Sequence, residues 1–328
     1  MKSKIVRRVL KYLLSIVLSF IFIMLLPRLW SVVFPEKPPV GYHYQTLDML
    51  AIITGLEHLI NKYPETPPNI AEFKNIEYKN INGKSLQLDI YKAKNLAQPA
   101  PLLVFIHGGG WKSGQREDYK SYLNPFAQKG YITATVSYRL LPDSVYPACV
   151  EDIADAVQWL FNHSENYGYD PDRVVLIGGS AGAHLALLTA YGWTKNGTGI
   201  NSSENKHKIK AVVDIYGPTD LTTEYARNQS VVTNFLGHTY SENPTVFKRA
   251  SPIFYLDKNV SPTMIFHVTS DQIVPYSQSD LLKTKLDSLG VPVVYYKLPL
   301  WPHTMDVVQR VNNFCQLKLE EFLHKYVD

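Results

Sequence analysis

The sequence predicts an α/β fold: a mostly parallel central sheet with helices on both faces, preceded by an N-terminal hydrophobic helix. Three observations predict it. From Pro101 onward, short apolar runs alternate with helical segments, the pattern of a parallel sheet covered on both sides. From Val174 to Ala190, VVLIGGSAGAHLALLTA runs through strand, tight glycine turn and Ala/Leu-rich helix without a break. At the other end, Tyr12–Leu26 carries no charge and follows a basic stretch.

At 328 residues, 45% hydrophobic and 19% charged, the chain has room for one large α/β domain or two small ones. The net charge of +4 is concentrated at one end. Residues 1–34 hold six basic residues and no acid, which leaves 27 basic against 29 acidic residues elsewhere. No nucleic-acid surface is expected from that balance. Cys149 and Cys315 are the only cysteines and lie far apart, so neither a disulfide framework nor a metal motif is expected.

In chain order, the uncharged run comes first. Apolar character resumes from Leu29 to Phe34, and through Phe34 the segment reaches the ~20 residues that cross a bilayer. No A-x-A-like cleavage site follows, so an uncleaved anchor is expected, with a cleaved signal peptide and secretion as the alternative. The basic residues before the run predict a cytoplasmic N-terminus and a domain on the extracytoplasmic side. Residues 35–72 read as a linker with an amphipathic helix over Leu47–Ile60, packed on the domain. Residues 73–328 read as the α/β domain. It opens with a hairpin, NIEYKN and KSLQLDIY about Asn82-Gly83. Strands follow at Leu102–Ile106, Ile132–Ser137, Val174–Ile177, Ile209–Ile215, Thr263–Thr269 and Val293–Leu298. Helices are expected at Tyr119–Lys129, Val150–His163, Ala183–Ala190, Ser277–Leu289 and Met305–Tyr326. The mixed, aromatic stretch 222–257 lies between two strands, where a small cap or substrate-binding insertion belongs.

The chemistry-bearing residues fall at the ends of those strands. Ser180 stands at the apex of Gly178-Gly179-Ser180-Ala181-Gly182; in a strand–turn–helix context this is a nucleophile elbow, with the hydroxyl projecting from a strained turn. A serine needs a general base, and His303, in LPLWPHTMD between the last strand and the last helix, occupies the position for it. His184 and His267 read as packed residues, and His43 gives no signal. For the orienting carboxylate, Asp271 follows a strand and precedes His303. Asp220 in YGPTDL is the rival, with a turn or cap as its other role, and Asp306 is expected to cap the last helix. His107-Gly108-Gly109-Gly110-Trp111 follows a strand directly. Consecutive glycines let backbone N–H groups crowd one point, as in an oxyanion loop. Trp111, Tyr138, Arg139 and the 222–257 stretch are expected to shape the site.

HGGGW at 107–111, SYRL at 137–140, GGSAGAHLAL at 178–187, YGPTDL at 216–221, SDQIVP at 270–275 and the histidine of WPHTMD together resemble the α/β-hydrolase esterases. The similarity is greatest to the acetyl-xylan/feruloyl esterase-like and hormone-sensitive-lipase-like group and to prenylcysteine methylesterase-like proteins. It covers about Phe73 to Val327. The resemblance implies the α/β-hydrolase fold, Ser180 as nucleophile, Asp271 as orienting acid and His303 as base. It also implies Gly109, Gly110 and Ala181 as oxyanion N–H donors. The expected activity is hydrolysis of short acyl or acetyl esters of small alcohols or sugars, with no cofactor and no metal. Alternatives are a membrane-associated methylesterase or lipid-ester hydrolase and, in another class, a tethered binding module without catalysis. The expected partners are a small-molecule ester and, through the N-terminal segment, the membrane.

Overall fold

A computed structural model describes residues 2–42, 44–96, 99–192 and 207–328; His43 lies outside them. The chain opens with α1 (Lys2–Val33), one long helix carrying Pro27. It is the one helix among the described residues long and apolar enough to cross a membrane by length and composition. Its face is exposed along most of its length, but Met24 and Pro27 are buried and Ser31 is half-buried. The last turns therefore rest on the rest of the chain.

The expected helix over Leu47–Ile60 is shorter than the apolar spacing suggested. α2 spans Gln45–Ile53. It stops because Thr54 turns its hydroxyl back on the Leu50 carbonyl (2.8 Å) and Gly55 takes a left-handed φ of 74°. Leu47, Leu50 and Ala51 pack with Met24 and Tyr42. The residues after α2 pass through a turn and a bend, and Leu59 then bridges Val308.

β1 (Ile70–Ile81) and β2 (Lys84–Ala93) form the hairpin. Asn82 and Gly83 both have positive φ, 50° and 81°, as a two-residue turn that matches strand twist requires. β1 starts at Ile70, ahead of the NIEYKN run, because Ile70 already pairs with Ala93. Then come β3 (Ala100–Ile106), α3 (Lys120–Gln128), β4 (Ile132–Val136), α4 (Ala148–Asn162), the short α5 (Ser164–Tyr167), β5 (Tyr169–Gly179) and α6 (Ala181–Ala190). β6 (Ile209–Ile215) is followed by three short helices, α7 (Glu224–Arg227), α8 (Ser230–Leu236) and α9 (Pro244–Arg249). β7 (Thr263–Val268), α10 (Ser277–Ser288), β8 (Val293–Leu298) and α11 (Gln309–Tyr326) complete the chain.

The sheet order is β1-β2-β4-β3-β5-β6-β7-β8. β1/β2 and β2/β4 are antiparallel; every pair from β4/β3 to β7/β8 is parallel. The central strands show why. All residues of β3, β4 and β7 are buried, which only a sheet covered on both faces permits. Along β3, Leu102, Val104 and Ile106 face one core with α4 and α6. Leu103 and Phe105 face the other, with α3 and α11, the alternation a pleated strand imposes. This α/β-hydrolase architecture brings the C-terminal ends of β3, β5, β7 and β8 to one rim.

Candidate active site

Ser180 lies between β5 and α6 with φ 54° and ψ −121°, a conformation that costs of order 1–3 kcal/mol and persists only when its surroundings hold it. Two glycines hold it. A Cβ on Gly182 would lie 2.1 Å from the Ile106 carbonyl oxygen, and one on Gly178 would lie 2.3 Å from the Gly182 backbone. Only bare backbone lets α6 sit this close to β3 and β5 while the serine turns outward. Ser180 N–H donates to the Ile215 carbonyl (2.8 Å), which ties the apex to β6.

His303 arrives from the loop after β8. Its Nε2 is 3.1 Å from Ser180 Oγ and its Nδ1 is 2.6 Å from Asp271 Oδ2. A carboxylate can only accept, so the proton sits on Nδ1 and Nε2 presents its lone pair to the serine hydroxyl. Asp271 comes from the loop after β7, its side chain fully buried. Burial pushes its carboxyl up, but hydrogen bonds from His267 and His303, the nearby imidazole and the Val274 N–H outweigh that. Together they hold it well below the usual carboxylate range. Its Oδ1 accepts the N–H groups of Ile273 (2.9 Å) and Val274 (2.8 Å).

His267 is a contributor the sequence does not reveal. It sits mid-strand in β7 and reads as core, and it is buried. Yet its Nε2 donates to the Val274 carbonyl (2.8 Å) and lies 3.3 Å from Asp271 Oδ2, while Nδ1 pairs with Ser279 Oγ (2.7 Å). It thus supports the loop carrying the carboxylate. The rival Asp220 is occupied in its own turn, accepting from the Thr222 N–H (2.8 Å) and hydroxyl (2.6 Å).

The HGGGW run packs against the elbow. A Cβ on Gly108 would meet the Gly179 carbonyl at 2.7 Å, and Gly109 and Gly110 have φ of 104° and 60°. Gly109 and Gly110 line the same cavity as Ser180, Ala181 and His303. Ala181 opens α6, and the first N–H groups of a helix have no intrahelical acceptor. His107 is structural: its ring stacks on Tyr138 at 4.3 Å, and burial lowers its pKa. His184 is likewise buried and neutral, its pKa lowered to about 4 by burial and its Nε2 2.6 Å from the Ala250 carbonyl.

The cavity over these groups measures about 820 Å³ and is also lined by Tyr63, Tyr225, Val231 and Ile273. Tyr225 and Val231 belong to the stretch between β6 and β7. Trp111 lines it too, stacked on Phe235 of α8 at 4.2 Å. Two expectations need correction. Tyr138 and Arg139 stand behind the cavity: Tyr138 Oη donates to the His107 carbonyl (2.8 Å), and Arg139 pairs with Asp152 (2.7 Å). Asp306 does not cap the last helix, because α11 begins only at Gln309 after Val308 has returned to extended backbone. Instead Asp306 Oδ1 accepts from Tyr216 Oη at 2.5 Å, beside the His303 ring. Among the described residues no group of three His, Cys, Asp or Glu is placed to hold a metal ion.

Comparison with known proteins gives a consistent picture. The BD-FAE family model matches residues 88–286. Esterase LipQ of Mycobacterium tuberculosis is 31% identical over 70% of this chain and 57% of its own length. A probable isoprenylcysteine alpha-carbonyl methylesterase, ICMEL1 of Arabidopsis thaliana, is 26% identical over 62% of this chain and 45% of its own. The chain thus spans about half the length of these curated relatives. Among solved structures, a thermophilic esterase from the Planctomycetes species Thermogutta terrifontis, with propionate bound, superposes with a TM-score of 0.66. It is 24% identical, covering 79% of this chain and 94% of that one.

Proposed function

The chain belongs to the BD-FAE family, and on that footing we propose that it hydrolyses carboxylic esters through an acyl-serine at Ser180. One observation carries the proposal: the continuous relay from Ser180 Oγ to His303 Nε2 (3.1 Å) and from His303 Nδ1 to Asp271 Oδ2 (2.6 Å). His303 takes the hydroxyl proton as Ser180 attacks the ester carbonyl. The oxygen that gains charge is met by the N–H groups of Gly109, Gly110 and Ala181. The tetrahedral intermediate collapses, the C–O bond to the alcohol breaks, and His303 returns the proton to the departing oxygen. Water, deprotonated by the same imidazole, then releases the acid and restores the serine. Asp271 stays ionised throughout and stabilises the imidazolium.

For the substrate we propose a short acyl group on a small alcohol or sugar. The space above the oxyanion glycines is low: a Cβ on Gly110 would lie 3.1 Å from Val231 Cγ2 of α8. The propionate-bound esterase of the same fold accords with this. 4-Nitrophenyl acetate and butyrate are expected to show kcat/KM at least about 10-fold above the octanoate, since a methylene that an apolar pocket does not accommodate costs about 1–3 kcal/mol. A preference for octanoate would contradict the short-acyl assignment. A second reading, a methyl ester on a membrane-associated substrate, is favoured by the apolar α1 and the likeness to ICMEL1. A prenylcysteine methyl ester belongs in the same panel.

We also propose that α1 is an uncleaved anchor and that residues 73–328, with the small insertion at 222–257, form the catalytic domain outside the cytoplasm. The packing of Met24 with Tyr42 and Ala51, in the segment that follows α1, supports retention of the helix. The protein is expected to stay in the membrane fraction after carbonate extraction with its N-terminus intact. A soluble product lacking residues 1–33 would contradict this.

A further inference from the structure

The loop that carries His303 is braced at both ends by the segment between α1 and β1. The loop runs from the end of β8 at Leu298 to the start of α11 at Gln309. Two of its non-glycine residues, Leu300 and Thr304, adopt left-handed φ of 64° and 63°, which a surface loop left to itself would relax.

At the first end, Gly41 N–H donates to the Pro299 carbonyl (2.8 Å). The buried Trp301 donates its indole N–H to the Pro39 carbonyl (2.9 Å). The fit is tight: a Cβ on Gly41 would stand 2.7 Å from the Leu300 oxygen and 2.9 Å from Trp301 Cδ2. At the second end, Ile60 N–H donates to the Val307 carbonyl (2.9 Å), and Gln309 N–H donates to the His58 carbonyl (2.8 Å). Arg310 ties the two ends together. Its guanidinium lies 4.8 Å from the centre of the Trp301 ring and pairs with the buried Glu57 at 2.7 Å. It also donates to the Val40 carbonyl (2.8 Å) and to Ser31 Oγ (3.0 Å) in the last turn of α1. Gly41, Glu57, Trp301 and Arg310 are not among the residues that line the cavity over Ser180.

We propose that residues 39–41 and 57–60 act as a two-point brace that positions His303 through Trp301 and Arg310, coupling α1 to the geometry of the base. The inference rests on His303 being the base. Trp301 and Arg310 are positioning residues: they hold the peptide two residues before the imidazole and the helix seven residues after it. The hydrogen bond from Ser270 N–H to the Trp301 carbonyl (3.2 Å) carries the same restraint to the residue beside Asp271.

The test uses the full chain in detergent micelles with 4-nitrophenyl acetate. Trp301→Phe keeps an aromatic side chain but removes the N–H that reaches Pro39, together with part of the buried ring beside Gly41 and Arg310. Gly41→Ala drives a methyl group into Leu300 and Trp301. Arg310→Lys keeps a charge but not the fork that joins Glu57 to Val40. A displacement of the base by a fraction of an ångström lowers the chemical step, with about 100-fold as the scale for 1 Å. The expected result is a fall in kcat of about 3- to 10-fold for Trp301→Phe and about 10- to 100-fold for Gly41→Ala, with Arg310→Lys between them. KM stays within about 3-fold, and the rate of fluorophosphonate labelling at Ser180 falls in step with kcat. A merely structural role would lower the melting temperature and leave kcat unchanged well below it; that result overturns the proposal. Should Gly41→Ala fail to fold, Trp301→Phe decides alone. A wild-type protein with no hydrolysis and no labelling would remove the esterase reading itself. A labelled, active wild type, a dead Ser180→Ala and brace variants with wild-type kcat would remove only the brace.

Discussion

Ser180→Ala is expected to lower kcat for 4-nitrophenyl acetate by about 10⁴- to 10⁶-fold, the range seen when a serine nucleophile is removed from a working triad. KM should move little, because the hydroxyl accounts for a small part of the cavity wall. The fold should survive. Among the described residues Ser180 Oγ makes one hydrogen bond, to His303 Nε2, and the strained φ of 54° is held by the glycines beside it and by the bond to Ile215. Residual turnover would come from the oxyanion N–H groups acting on bound ester and water. Retention of more than about 1% of wild-type kcat in a correctly folded variant would mean that the acyl group is not carried by this serine.

Asp271→Asn is expected to cost about 10³- to 10⁴-fold in kcat, for a reason set by its surroundings. Oδ1 accepts two backbone N–H groups, from Ile273 and Val274, so the amide oxygen of asparagine must stay on that side. The amide NH₂ is then forced into the place of Oδ2, facing His303 Nδ1. An NH₂ donates, so Nδ1 becomes the acceptor and the ring proton moves to Nε2. There it faces the serine hydroxyl and cannot take its proton. The geometry is preserved and the tautomer is wrong. Asp220→Asn is the matched control and should leave kcat within about 2-fold, since its carboxylate serves only the turn at Thr222. If Asp271→Asn kept wild-type kcat while Asp220→Asn lost it, the orienting role would pass to Asp220.

What the sequence made legible follows from how local each feature is. The elbow can be read from five residues because the strand, the turn and the helix that require bare backbone at Gly178 and Gly182 follow one another directly in the chain. His303 and Asp271 follow from chain order, because β7 and β8 end on the same rim as β5 in a parallel sheet. The hairpin is readable because Asn82-Gly83 encodes its own turn. The rest depends on partners distant in sequence. Nothing around His267 announces that Asp271 lies 3.3 Å from its Nε2. Asp306 reads as a helix cap until Tyr216, 90 residues earlier, is seen to claim it. Arg139 reads as a site residue beside a conspicuous motif, and the buried Asp152 draws it away. The amphipathic spacing over Leu47–Ile60 persists past the helix because Leu56 packs from a non-helical turn into the cluster that α2 enters. The brace on the base loop joins residues far apart in the chain, as in Trp301 to Pro39, and no local pattern carries it.

The central claim is that Ser180 becomes covalently acylated with His303 as its base. Intact-mass analysis and peptide mapping of the full-length protein after exposure to a fluorophosphonate test it most directly. One adduct per chain is expected, on Ser180, absent from Ser180→Ala and formed far more slowly in Asp271→Asn. An unmodified folded protein, or an adduct on any other residue, would contradict it.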